Sequence, residues 1–242
     1  QALGGAKNHA IVLEDASLDQ TANAIIGAAY GSAGERCMAI SVVVAVESVA
    51  DELCGLLTKK AESLKIGPGN EPENEMGPLI TGDHKNKVID YIQQGEDAGA
   101  TVLLDGRDHE VTSKPGFFLG PTLFDHVNPE MSIYKEEIFG PVLVVLRVKD
   151  FNAAIKLANE HQFGNGVAIF TNQGSKAREF VHSVEVGMVG INVAIPVPLS
   201  FYTFGGWKDS IFGSSNIYGM DGIRFFTRTK TVTARWVDDD GS

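Results

Sequence analysis

Short β-branched runs alternate along the chain with stretches in which apolar residues recur every three or four positions. That alternation predicts an α/β fold rather than a sandwich. Ala39 to Val46, Thr101 to Leu104, Val142 to Val148, Val167 to Phe170 and Met188 to Asn192 read as strands of a mostly parallel open sheet. Helices are expected over Val49 to Leu64, where Leu53, Leu56, Leu57 and Leu64 share one side, and over Lys85 to Ala98, Phe151 to Asn159 and Ser175 to Ser183. Ser17 to Gln20 has the form of a capping box opening a further helix, which runs through Ala-rich sequence to Ala29 and stops near Gly31 to Gly34. Gly67 to Pro78 is a loop. Thr229 to Trp236 looks like a final strand, and its Thr-rich composition with the acidic tail Asp238 to Asp240 suits an edge strand or pairing between subunits. No internal repeat or low-complexity linker divides the chain.

Composition narrows the function. With 43% hydrophobic and 21% charged residues, the 242-residue chain can build a core, so disorder is not expected. Apolar runs such as Val42 to Val46 are far too short to cross a bilayer. Twenty basic against 31 acidic residues, a net charge of −11 without basic clusters, argue against a nucleic-acid partner. Cys37 and Cys54 make neither a disulfide framework nor a Cys-rich metal site, and a reducing compartment is the default, the cytoplasm or, in a eukaryote, the mitochondrial matrix. His9, His84, His109, His126, His161 and His182 show no metal-ligand spacing. The chain opens on Gln1 inside sequence that reads as structured, so a fragment is expected, with any targeting segment outside it.

The candidate chemistry centres on Gly31-Ser-Ala-Gly-Glu-Arg-Cys37, between a helix end and a strand. Glycines there let the backbone approach a small ligand, and Arg36 stands beside the thiol. Judged by local sequence alone, a packed core thiol is the leading reading of Cys37, because free cysteine is usually buried. Cys54, in a helix beside Leu53 and Leu57, reads as core.

Four motifs change the balance: Gly5-Ala-Lys-Asn-His-Ala-Ile-Val-Leu-Glu-Asp-Ala16, Gly34-Glu-Arg-Cys37, Glu136-Glu-Ile-Phe-Gly-Pro141 and Phe204-Gly-Gly-Trp-Lys-Asp-Ser210. In this order they resemble successive motifs of the aldehyde dehydrogenase superfamily, across nearly the whole chain. Gly-Ala-Lys-Asn-His, Gly-Glu-Arg-Cys-Met-Ala, Pro196 to Ser200 and Phe225 to Thr233 are similar to its CoA-acylating branch, whose substrates are methylmalonate and malonate semialdehyde. The resemblance implies that Cys37 is the nucleophile, that Glu137 holds the nicotinamide ribose and Phe139 packs near the ring of NAD, and that Phe204 lines the substrate channel. Gly4 is placed by it near the nicotinamide, while His9 is structural.

The family's hydrolytic members carry a general-base Glu where this chain has Leu3, which cannot accept a proton. That departure favours resolution of the Cys37 thioester by coenzyme A. The alternatives are that Leu3 is a core residue and another carboxylate activates water, giving a free acid. Arg36 offers a forked ion pair to a substrate carboxylate, or else binds a structural carboxylate or helix end. The expected organisation is a catalytic domain over 1–226 and an oligomerisation arm over 227–242, with the NAD-binding domain largely outside the chain. The parent is then an NAD-dependent enzyme and a homo-oligomer. The competing reading is a fragment that is inactive alone and serves only as an oligomerisation module.

Overall fold

Unbroken Val and Ile runs suit strands covered by helices on both faces, and the chain arranges itself accordingly. The computed structural model describes residues 1–236. Its strands are β1 (Ala2–Leu3), β2 (Asn8–Val12), β3 (Ile40–Val46), β4 (Thr101–Leu104), β5 (Thr122–Asp125), β6 (Val142–Val148), β7 (Phe163–Gly164), β8 (Gly166–Phe170), β9 (Met188–Ile191), β10 (Trp207–Lys208) and β11 (Ile211–Phe212). Its helices are α1 (Leu18–Tyr30), α2 (Glu47–Glu62), α3 (Gly82–Asp97), α4 (Ser132–Lys135), α5 (Phe151–Glu160), α6 (Gly174–Ser183) and α7 (Met220–Phe226).

The main sheet has seven strands in the order β4-β5-β6-β3-β2-β8-β9. Every pairing in it is parallel except β4 with β5. The crossovers β2-α1-β3 and β6-α5-β8 move in opposite directions across the sheet, so the right-handed rule puts α1 and α5 on opposite faces. α1 packs on α2, and α5 packs on β3 and β6. β2 is buried along its whole length, and Ile11, Val42, Val43, Val44, Leu143 and Ile169 form the middle of the core. Two small antiparallel pairs, β1 with β11 and β7 with β10, tie the amino-terminal segment and the Gly205–Gly206 region to one end of the sheet.

Three expectations need correction. Ser17 is the N-cap of α1, but its side chain makes no capping hydrogen bond. Ser17 and Gln20 are exposed, so water serves the first-turn amides instead. Residues 229–236 form no strand. A strand's backbone bonds come from a neighbour, and this segment lies exposed, with Trp236 at 91%, beside no sheet edge of its own chain. The acidic stretch Asp238 to Asp240 lies outside the described residues. Finally, β2 and β5, interior strands of the sheet, were not evident from the pattern of the sequence.

Candidate active site

In a parallel sheet the loops entering the strands gather at one edge. Here Gly4–Lys7 enters β2, Arg36–Ala39 enters β3, Glu137–Pro141 enters β6 and Asn165 immediately precedes β8. Residues separated by more than a hundred positions therefore meet at the amino-terminal edge.

The Cys37 loop begins where α1 ends. Ser32 (φ 53°, ψ 36°) and Ala33 (φ 54°, ψ 30°) are both left-handed, and Gly34 follows at φ 73°. For a residue with a Cβ this region costs about 1–2 kcal/mol, so the turn is held by its surroundings. Ala33 is buried. At Gly34 a Cβ would lie 2.1 Å from the carbonyl oxygen of Gly140, which binds the turn to the loop before β6 and requires glycine there.

Cys37 itself is a free, exposed thiol, which removes the packed-core reading. Its carbonyl is the fixed part. Asn8 Nδ2 donates to it at 3.1 Å and Asn165 Nδ2 at 2.8 Å. The other Asn8 Nδ2 hydrogen goes to the carbonyl of Ala39 at 2.9 Å, and Oδ1 accepts from the N–H of Gly166 at 3.0 Å. Both asparagines are buried and hydrogen-bonded, so they behave as rigid braces across β2, β3 and β8. Among the described residues the Cys37 N–H donates to no backbone carbonyl.

Glu137 and Phe139 lie on the neighbouring loop. Glu137 is half-buried, and burial raises its carboxyl pKa against the Ala6 N–H and the charges of Lys7 and Lys87. Lys7 is only 3% exposed, and its Nζ donates to the Glu136 carbonyl at 2.8 Å. Burial pulls its pKa down to about 7, although Glu137 and Glu136 favour the charged form. The Glu136 carboxylate accepts from the Tyr91 hydroxyl. Phe139 is exposed and left-handed at φ 58°.

The remaining candidates fall around these two loops. Arg36 is exposed, and its Nε donates to Ser32 Oγ at 3.1 Å while the guanidinium lies over Gly31 at the end of α1. Among the described residues it pairs with no carboxylate. Phe204 is buried with Met38 and Met188 and stacks on Tyr218, which makes it a wall behind the residue following Cys37. Gly4 gives its N–H to the Ser210 carbonyl at 3.0 Å, and a Cβ there would collide with the Asp209 carbonyl. The close approach that demands glycine is thus to residues 209–210. Leu3 is 40% exposed and paired with Ile211, so it is no core residue.

A cleft lined by Asn8, Gly34, Arg36, Glu137 and Phe139 separates the loops, with free space of about 20 Å³. That is room for about one water. Anything larger must lie outside it; Phe139, which lines the cleft, and Cys37, next to the lining Arg36, are both exposed. Behind the site, His9 is buried and structural. Its Nδ1–H donates to the Lys7 carbonyl at 2.7 Å, its Nε2 lies 3.1 Å from the Tyr134 hydroxyl, and burial pulls its pKa down to about 3. Among the described residues no cluster of His, Cys, Asp and Glu has the makings of a metal site, and no helix is long and apolar enough to cross a membrane.

This geometry has close parallels. Residues 1–232 match the aldehyde dehydrogenase family. The chain belongs to that family. It is 54% identical over 238 residues to the malonate-semialdehyde dehydrogenase of Pseudomonas aeruginosa, covering 98% of this chain and 48% of that protein. A Sinorhizobium meliloti protein described as a methylmalonate-semialdehyde dehydrogenase, solved with NAD, is 50% identical with a TM-score of 0.96, covering 99% of this chain and 49% of that one. The methylmalonate-semialdehyde dehydrogenase of Oceanimonas doudoroffii is 52% identical with a TM-score of 0.95, covering 98% and 49%. The chain spans about half the length of the relatives it matches.

In this aldehyde dehydrogenase chain, sequence reasoning passed over Lys7, Asn8, Asn165 and His84 as site residues. Lys7 and Asn8 stand inside a quoted motif, and a Lys-Asn-His run opening a buried strand was a usable signal. Asn165 and His84 carried none, since their partners lie 128 and 55 positions away.

Proposed function

We propose that this chain is the catalytic part of an NAD-dependent, CoA-acylating dehydrogenase for methylmalonate and malonate semialdehydes. The observation that carries the reading is the exposed Cys37 thiol on a loop whose carbonyl is gripped by Asn8 and Asn165. The likeness to malonate-semialdehyde and methylmalonate-semialdehyde dehydrogenases supports the substrate class.

The residues divide the work as follows. With its carbonyl fixed, Cys37 presents its thiolate to the aldehyde carbon, and its backbone N–H is available to the oxyanion that forms. Glu137 offers a half-buried carboxylate whose two oxygens suit a pair of ribose hydroxyls, and the exposed Phe139 ring offers a flat face beside it. These groups fit the nicotinamide riboside part of NAD, which when bound accepts the hydride and leaves a thioester on Cys37. Gly4 is assigned to the nicotinamide by the family resemblance alone, its own close approach being to Asp209, and Phe204 supports the substrate wall through Met38.

Leu3 cannot activate water, so the thiol of coenzyme A attacks the thioester carbonyl and the Cys37 thiolate leaves. The Arg36 guanidinium, which pairs with no carboxylate among the described residues, supplies the forked ion pair for the substrate carboxylate on this reading. In the β-carboxy thioester, the electrons of the bond to the departing CO2 pass into the thioester carbonyl, and a proton then completes propionyl- or acetyl-CoA. Residues 1–226 form the catalytic unit on this reading, and 227–242, of which 227–236 pair with no strand of the described chain, are an arm that pairs with another subunit.

The test is turnover of the full-length protein on malonate semialdehyde with and without CoA. Acetyl-CoA as product and acceleration by CoA are expected. Free acid formed at the same rate without CoA would overturn the reading.

A further inference from the structure

His84 stands in the first turn of α3, where Thr81 Oγ1 accepts its backbone N–H at 3.1 Å. Its ring, 23% exposed, reaches from the helix to both loops of the site. Nε2 lies 2.6 Å from the carbonyl oxygen of Phe139 and 3.5 Å from Glu35 Oε1. A carbonyl only accepts, so Nε2 carries a proton and donates it. The bond falls on a residue that needs holding, since Phe139 is left-handed at φ 58°, a region phenylalanine avoids. The turn is wedged as well. A Cβ on Gly140 would meet Val88 of α3 at 2.7 Å, and one on Gly34 would meet the Gly140 carbonyl. Glu35, two residues before Cys37, is nearly buried beside the same ring.

We propose that His84 is a positioning residue. By holding the Phe139 carbonyl it keeps this turn left-handed, and so fixes the Glu137 carboxylate and the Phe139 ring against the nucleophile loop. The inference rests on the assignment of Glu137 and Phe139 to the nicotinamide riboside. It adds to that assignment a hydrogen bond from α3, the helix whose Val88 already wedges Gly140 and whose Tyr91 bonds Glu136.

Two size-matched variants of the full-length protein isolate the hydrogen bond. His84→Gln keeps an N–H near the Nε2 position, and His84→Met fills the space without a donor. In His84→Met the KM for NAD should rise about fivefold, the value of one ordinary hydrogen bond. kcat at saturating NAD and the rate of Cys37 alkylation by iodoacetamide should stay within about twofold. His84→Gln should restore the KM. An unchanged KM in His84→Met, or an equal rise in both variants, overturns the proposal. A melting cycle reads the same idea without NAD. Glycine needs no help to be left-handed, so His84→Met should lower Tm less in a Phe139→Gly background than in the wild type, and equal losses overturn it. A wild-type protein that binds no NAD would instead refute the assignment of Glu137 and Phe139, while the melting cycle still decides what His84 does.

Discussion

The two edges of the parallel sheet carry polar networks of similar size and opposite character. At the carboxyl edge, between β2 and β8, Asp15 accepts from Thr171 Oγ1 at 2.8 Å and from the Asn172 N–H at 2.7 Å. Asn192 Oδ1 accepts from the Thr171 N–H at 3.0 Å, and its Nδ2 donates to the Thr171 carbonyl at 2.9 Å. Those bonds close on one another. Open α/β sheets usually bind ligands in this crevice, where successive crossovers leave for opposite faces, yet here it is filled by its own side chains. At the amino edge, Asn8 and Asn165 end on the carbonyl of Cys37 and leave the thiol exposed. A closed network ties strands together; one that ends on a reactive residue holds that residue still.

The comparison can be broken by mutation. Cys37→Ala should lower turnover by at least about 10⁴-fold and leave Tm nearly unchanged, because the side chain is exposed. A large Tm loss would mean that the thiol is structural after all.

Acid should act on the ground behind the amino edge. His9 and His161 are held neutral, with pKa values lowered by burial from 6.5 to about 3 and about 4. Their folded values lie below the unfolded one, so the stability they contribute is complete above pH 6.5 and is lost as pH falls toward those folded values. For His9 the loss is on the order of 5 kcal/mol. Urea unfolding at stepped pH would measure it, and His9→Gln, which does not titrate, should flatten that part of the curve.

Asn8→Ala and Asn192→Ala test the edges against each other. Each strips a hydrogen-bonded amide and should cost about 1–3 kcal/mol of stability. Only Asn8→Ala should also reduce kcat, by about tenfold or more, since of the two it alone removes a hydrogen bond to the Cys37 carbonyl. Equal kcat in the two variants would erase the distinction between the edges.

The smallest effect is expected at Lys7. Its ammonium is buried at a cost and is favoured by Glu136 and Glu137. Lys7→Met removes that burial cost but also takes a positive charge from Glu137 and the donor from the Glu136 carbonyl. The two effects should nearly offset, changing stability by no more than about 1 kcal/mol, while the KM for NAD rises. A clear fall in Tm would make the lysine a structural brace.

Much of this architecture was legible in the chain. The strands β3, β6 and β8 announce themselves as β-branched runs because both their faces are buried, β9 is a shorter run at the sheet edge, and α2, α3, α5 and α6 show an apolar side. β2 did not, because it opens on Asn8 and His9, polar residues that a sheet interior accepts only when their partners, here Ala39, Gly166, Lys7 and Tyr134, come from elsewhere. β5 spans only Thr122–Asp125, and its terminal Asp125 is neutralised by Arg147 at 2.7 Å. Residues 229–236 erred in the other direction, since β-prone composition without a partner makes no strand. In the site, the thiol, the Glu137 loop and the Leu3 departure were readable from motif order. The braces Asn165 and His84 were not.

By itself, then, the sequence displayed which side chains are able to bring reactive chemistry and which runs must be buried. Both depend on side-chain type and local periodicity, which a linear chain displays. Only the tertiary structure decided that the chemistry lies at the amino edge of the sheet, that two asparagines grip the carbonyl of Cys37, and that a histidine from α3 holds Phe139 in a conformation it would not adopt alone. Hydrogen bonds of a few ångströms between residues 29, 55 and 128 positions apart exist only once the strands have packed.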